Sequence, residues 1–116
     1  MHKITNSGWV EVITGCMFSG KTEELLRRLR RAEIAGQSVA VFKPDLDDRY
    51  GEDTVGTHNG RSWEATVVDP SGDGVWDIAD ALNGEEVVAV DEANFFADEL
   101  ASVCDFLADD GRRVVV

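Results

Sequence analysis

The chain alternates short apolar runs with stretches whose apolar positions recur every three or four residues. Trp9-Val10-Glu11-Val12-Ile13-Thr14 has strand character, and a glycine-rich turn follows it. From Lys21 to about Ala35, the residues Leu25, Leu26, Leu29 and Ala32 make one apolar stripe, which predicts an amphipathic helix. Arg27, Arg28, Arg30 and Arg31 fall mostly on its other faces, and Gly36 supplies a C-terminal stop. Ser38-Val39-Ala40-Val41-Phe42 predicts a second strand, ended by Pro44, and the polar stretch from Asp45 to Gly60 reads as a loop. Trp63 to Val68 reads as a short strand, and Val75 to Leu82 has a weak helical pattern. Val87-Val88-Ala89-Val90 is uniformly apolar, as in a strand covered on both faces. Phe96, Leu100, Val103 and Leu107 return to helical spacing, Gly111 ends that helix, and Val114-Val115-Val116 opens another strand. Strand and helix in alternation predict one α/β domain over residues 1–116 with a mainly parallel central sheet. So short a terminal strand carries the expectation that the natural domain continues, leaving this fold C-terminally incomplete with a sheet edge exposed after Val116.

Composition narrows the partners. With 116 residues the chain holds one small core, and its 43% hydrophobic content suits a globular fold rather than a disordered one. The net charge of -12, from 23 acidic and 11 basic residues, argues against a nucleic-acid polymer, whose phosphates need a basic face. It leaves room for a nucleotide, since a pocket can be locally positive on an acidic surface. The acid excess with few lysines also fits adaptation to high salt, an ordinary acidic enzyme being the alternative. No apolar run is long enough to cross a membrane, and Met1 to Asn6 lack the apolar stretch of a secretory signal, so a cytoplasmic protein is expected. Cys16 and Cys104 form no C-x-x-C pair, so no zinc site is expected from this chain; a disulfide between them is possible on paper but not expected in a reducing compartment.

The glycine-rich turn carries chemistry. Gly15-Cys16-Met17-Phe18-Ser19-Gly20-Lys21-Thr22 fits the phosphate-loop pattern G-x-x-x-x-G-K-[ST]. Glycines let successive backbone N–H groups converge on one anion, Lys21 places an ammonium against the β- and γ-phosphates, and Thr22 offers a hydroxyl to Mg²⁺. The helix that opens here adds its positive end. A chain of this composition would match by chance in roughly 0.3% of shuffles, and the placement between a predicted strand and helix is what the mechanism needs. The alternative is a tight turn that binds nothing. Further on, the strand Val87–Val90 ends in Asp91-Glu92, where a carboxylate of a phosphate-loop protein helps hold Mg²⁺. Adjacent carboxylates at a strand end point in different directions, so Asp91 can face the metal and Glu92 an acceptor hydroxyl, as general base. The pair by itself does not choose between that role and activation of water in an ATPase, and alone it would also suit a solvated turn.

Three segments together resemble a known family: Gly15 to Thr22, then Asp47-Asp48-Arg49-Tyr50 with Thr57-His58, then Asp91-Glu92-Ala93-Asn94-Phe95-Phe96. Leu25-Leu26-Arg27-Arg28 and Phe42-Lys43-Pro44 add to the likeness. The combination is similar to the type II thymidine kinases, the cellular thymidine kinase 1-like family, over nearly the whole chain. The resemblance implies a P-loop NTPase-like three-layer fold and transfer of the γ-phosphoryl group of ATP to the 5′-hydroxyl of thymidine. It implies that ATP is held by Gly15, Cys16, Met17, Phe18, Ser19, Gly20, Lys21 and Thr22, with Asp91, Glu92, Ala93 and Asn94 opposite. It further implies Mg²⁺ on Thr22 and Asp91, Glu92 as the base, and Arg49 beside the reacting phosphate. Met17 and Phe95 would line the thymine pocket, with Asp47 next to Arg49 on the substrate side. Asn94 stands where the family commonly has glutamine. His58, Trp63, Trp76 and Cys104 are read as structural. Family members continue past Val114 into further pocket residues, a zinc domain and a lasso-like loop, none of which this sequence carries, and a homo-oligomer is expected of the complete protein. A module that binds ATP–Mg²⁺ without kinase activity, or another phosphate-loop ATPase, are the alternative readings.

Overall fold

The computed structural model describes residues 8–14, 20–45, 54–56 and 62–116, with 54–56 and 62–63 described as backbone. Five strands make one sheet: β1 (Trp9–Glu11), β2 (Val39–Pro44), β5 (Thr66–Val68), β6 (Val87–Val90) and β7 (Arg113–Val115), in the order β1-β7-β6-β2-β5. Every pairing in it is parallel. Two more strands, β3 (Thr54–Gly56) and β4 (Ser62–Glu64), pair antiparallel apart from the sheet. Among the described residues three α-helices cover the sheet: α1 (Lys21–Ile34), α2 (Asp77–Asp80) and α3 (Glu99–Asp109).

Side-chain alternation on the strands explains the layering. Val87 and Ala89 of β6 join Val41, Val115 and the α1 stripe Leu25, Leu26, Leu29 and Ala32 in one buried cluster. Val88 and Val90 point the other way, into a cluster with Phe42, Val114, Ile78 of α2, and Leu100, Val103, Cys104 and Leu107 of α3. Period 2 in the strands thus splits one apolar run between two cores, giving a three-layer α/β sandwich as the resemblance implied. The handedness of parallel connections assigns the faces. From β1 the chain crosses to β2 in one direction, with α1 on one face; from β5 to β6 to β7 it returns in the opposite direction, so α2 and α3 lie on the other.

Several expectations are refined. The first strand is shorter than Trp9–Thr14, ending at Glu11. The stretch from Asp45 to Gly60 is not all loop, because it contains β3. Trp63 to Val68 is split at Ala65 between β4 and β5, which belong to different sheets. The weak helical pattern from Val75 becomes a 3₁₀ turn, Gly72–Trp76, running into the single-turn α2. β7 is interior, flanked by β1 and β6, so among the described residues the strands at the ends of the sheet order are β1 and β5 and not the one that closes the chain. Cys104 is a free, buried thiol pushed up to about 11 by burial and by neighbouring Asp105, in keeping with its reading as packing. Trp76 packs edge-on to Phe106 at 5.7 Å and donates its indole N–H to Glu99 at 3.3 Å, joining the 3₁₀ turn to α3.

Candidate functional site

The site forms at the carboxyl ends of β2 and β6, neighbouring strands whose next strands in the sheet lie in opposite directions, β5 beyond β2 and β7 beyond β6. Parallel sheets bind ligands at such a switch point, because the diverging connections open a crevice there. On one side of it α1 begins. Gly20, the residue before the helix, takes φ 84°, a left-handed conformation that a side chain would strain. That turn lets Lys21 and Thr22 enter the first turn, where backbone N–H groups lack helical carbonyl partners. Both side chains are partly exposed.

β6 delivers the other side. Its last ladder bond runs from the Asp91 N–H to the Phe42 carbonyl at 2.9 Å. Asp91 continues the alternation of Val87 and Ala89, so it faces α1, and there the Thr22 hydroxyl donates to its Oδ1 at 3.2 Å. Residues 69 positions apart in sequence are thereby joined across the sheet's end. Glu92 then takes φ 54° and ψ 44°, left-handed like Gly20 but with a full side chain. Among the described residues it is the one non-glycine with positive φ. The chain therefore leaves the strand by a sharp backbone turn at Glu92, where the sequence reading assumed strand pleat to continue through the pair. Ala93–Phe95 form a 3₁₀ turn closed by Phe95 N–H to the Glu92 carbonyl at 3.0 Å. Asn94 and Phe95 are exposed, Phe95 at 45%.

A polar tie fixes the approach of α1. Glu11 of β1 accepts from Arg113 of β7 through both carboxylate oxygens, at 2.6 and 3.0 Å, and from Arg28 of α1 at 3.1 Å. The Arg113 bonds, aided by Trp9 and the charge of Arg28 against a partial cost of burial, hold the Glu11 carboxyl below its usual range. Arg27 and Arg28 also bond Glu24, so these two of the helix's four arginines are committed to the protein's own carboxylates.

Thus Thr22 meets Asp91, with Gly20 and Lys21 just before it in the chain and Glu92 just after Asp91, while Gly15, Cys16, Met17, Phe18, Ser19, Asp47, Arg49 and His58 lie outside the described residues. Among the described residues no three His, Cys, Asp or Glu side chains converge. The oxygen pair Thr22 and Asp91 suits a hard cation such as Mg²⁺, which takes few protein ligands and keeps water and phosphate oxygens as the rest. Sequence reading used Lys43 only as part of the family likeness and gave it no role. It is the one charged residue in the buried set among those described, 9% exposed, and it is the last residue but one of β2, beside the site. The signal was available: Val39, Val41 and Lys43 alternate onto one face.

Comparison with known proteins bears on this geometry. The family described as thymidine kinase matches residues 8–116. A thymidine kinase of Halobacterium salinarum strain R1 is 72% identical over 116 residues, all of this chain and 60% of that protein. The protein of strain NRC-1 gives the same figures. A thymidine kinase of Haloquadratum walsbyi is 56% identical over 146 aligned positions, covering all of this chain and 65% of that protein. The chain therefore spans about 60% of the length of the first of these curated relatives.

Proposed function

The chain belongs to the thymidine kinase family, and from that premise we propose that the protein transfers the γ-phosphoryl group of ATP to the 5′-hydroxyl of thymidine, giving thymidine monophosphate. The observation that carries the reading is the Thr22–Asp91 contact, which joins the phosphate-loop helix to the acidic strand end at the sheet's switch point. In this reading the backbone amides of Gly15 through Thr22 and the Lys21 ammonium cradle the triphosphate, and the positive end of α1 adds to their field. Thr22 and Asp91 hold Mg²⁺, which when bound offsets charge on the phosphate oxygens.

Glu92 takes the proton from the thymidine 5′-hydroxyl as its oxygen attacks the γ-phosphorus and the bond from that phosphorus to ADP breaks. Arg49 offsets charge on the transferring group, with Asp47 beside it, while Met17 and Phe95 bound the thymine ring. Ala93 and Asn94 complete the wall behind the nucleotide. We read the protein as cytoplasmic, active as a homo-oligomer on small molecules and not on nucleic-acid polymers; no described helix is long and apolar enough to cross a membrane. Its acid excess is read as adaptation to high salt.

The test is phosphate transfer from ATP to thymidine by the full-length protein, paired with ATP binding by calorimetry. Glu92→Gln is expected to abolish transfer and leave ATP binding within about threefold, since a base acts in the transition state. Lys21→Ala is expected to weaken ATP binding itself. Equal loss of ATP binding in both variants contradicts the assigned roles, and absence of thymidine phosphorylation in the parent rejects the function.

A further inference from the structure

Lys43 has no role in the scheme above, yet its position is unusual for a lysine. It is buried at the carboxyl end of an interior strand, where a charge is tolerated only if something nearby compensates it. Three observations locate that compensation. The β2–β6 register pairs Phe42 with Val90, so the next positions, Lys43 and Asp91, are neighbours on adjacent strands. Asp91 N–H bonds the Phe42 carbonyl, so the ladder extends to this point. Val41 and Ala89 both pack toward α1, and alternation places Lys43 and Asp91 on that same face, the face from which Thr22 reaches Asp91.

We propose that Lys43 is a positioning residue of the phosphate-transfer site, its ammonium holding the Asp91 carboxylate in the orientation that meets Thr22. This rests on the functional reading above, in which Asp91 and Thr22 serve the nucleotide's cation. Thr22 fixes Asp91 from the helix side through Oδ1, and Lys43 restrains it from the neighbouring strand. A carboxylate held from two sides needs little reordering when ATP–Mg²⁺ arrives, so the lysine favours binding without touching the nucleotide.

The experiment is a double-mutant cycle in the full-length protein, read as ATP affinity with Mg²⁺ and again with the metal chelated. Lys43→Met is expected to weaken ATP–Mg²⁺ binding about tenfold in the parent and less than about twofold in an Asp91→Asn background, the non-additivity of residues that act as one unit. Without the metal, Lys43→Met is expected to change ATP affinity less than about twofold. Lys43→Arg, which keeps the charge, is expected to recover most of the loss.

A second measurement does not depend on Lys43→Met folding. Asp91→Asn keeps an oxygen for the Thr22 hydroxyl and removes only the charge, so it is expected to lower the melting temperature by leaving the buried lysine uncompensated. Equal loss from Lys43→Met in both backgrounds, or an Asp91→Asn protein that melts at or above the parent, overturns the proposal. A parent that binds no ATP–Mg²⁺ overturns the phosphate-site reading and this inference with it; ATP binding with an additive cycle overturns this inference alone.

Discussion

At φ 54° and ψ 44°, Glu92 sits where Cβ crowds its own carbonyl, at a cost of about 1–2 kcal/mol for a side-chain-bearing residue. Strain of this kind persists where the surroundings over-determine it, and it clusters at working sites. The surroundings here are the ladder bond of Asp91 to Phe42 on one side and the 3₁₀ turn of Ala93–Phe95 on the other. If the strain is kept for function, glycine should tolerate the position better than alanine. Glu92→Gly is expected to be more stable than Glu92→Ala by about 1 kcal/mol, read from urea midpoints, with neither variant transferring phosphate. Alanine equal to glycine would mean the turn relaxes once the carboxylate is gone. The role proposed for Glu92 comes from the sequence, where an acid pair after a buried strand accompanies a phosphate-loop pattern. Its backbone conformation was not legible there, because it follows from a bond to a strand some 50 residues away.

Elements with strong periodicity were legible almost to their ends. The α1 stripe Leu25, Leu26, Leu29 and Ala32 is buried as its spacing required, and Val87–Val90 forms the central β6. The excursion between β2 and β5 was not legible, because β3 and β4 are three residues each and owe their existence to pairing with one another. The 3₁₀ turn Gly72–Trp76 likewise has too few residues to show a period. Since α1 carries Lys21 and Thr22 at its start, its packing is also site packing. Leu29→Ala, at a position with no exposure, is expected to cost about 2–5 kcal/mol in chemical denaturation.

The tie from β1 to β7 and α1 through Glu11 gives a pH signature. The Glu11 carboxyl is depressed in the folded state, so its contribution is complete above pH 4.5, its ordinary value, and is lost as pH falls through the lower folded value. Glu11→Gln should therefore be destabilised at neutral pH by an amount that shrinks as acidity increases below pH 4.5. Denaturant midpoints of both proteins at a series of pH values check this; a gap that stays constant or widens in acid would show that Glu11 acts through packing.

For the molecule as a whole, two electrostatic effects of opposite sign act on one fold. The ties of Glu11 with Arg28 and Arg113, and of Glu24 with Arg27 and Arg28, weaken as salt screens them. The repulsion that accompanies a net charge of -12 on 116 residues weakens too, and that change is stabilising. Partly exposed pairs contribute little each, whereas acids outnumber bases 23 to 11, so relief of repulsion should win. Raising KCl from 0.1 to 1 M is expected to raise the melting temperature by at least about 4 °C, the shift that corresponds to about 1 kcal/mol in a domain of this size. Screening is nearly complete at the upper concentration, where the Debye length is only about 3 Å. Any rise beyond it has to come from strengthened apolar burial, which potassium sulfate would extend further than chloride. Replacing the exposed Asp105 and Asp109 of α3 by asparagine should flatten the rise below 1 M and leave the part above it unchanged. A melting temperature that falls with salt would mean that the ion pairs, and not the charge excess, set the stability of this protein.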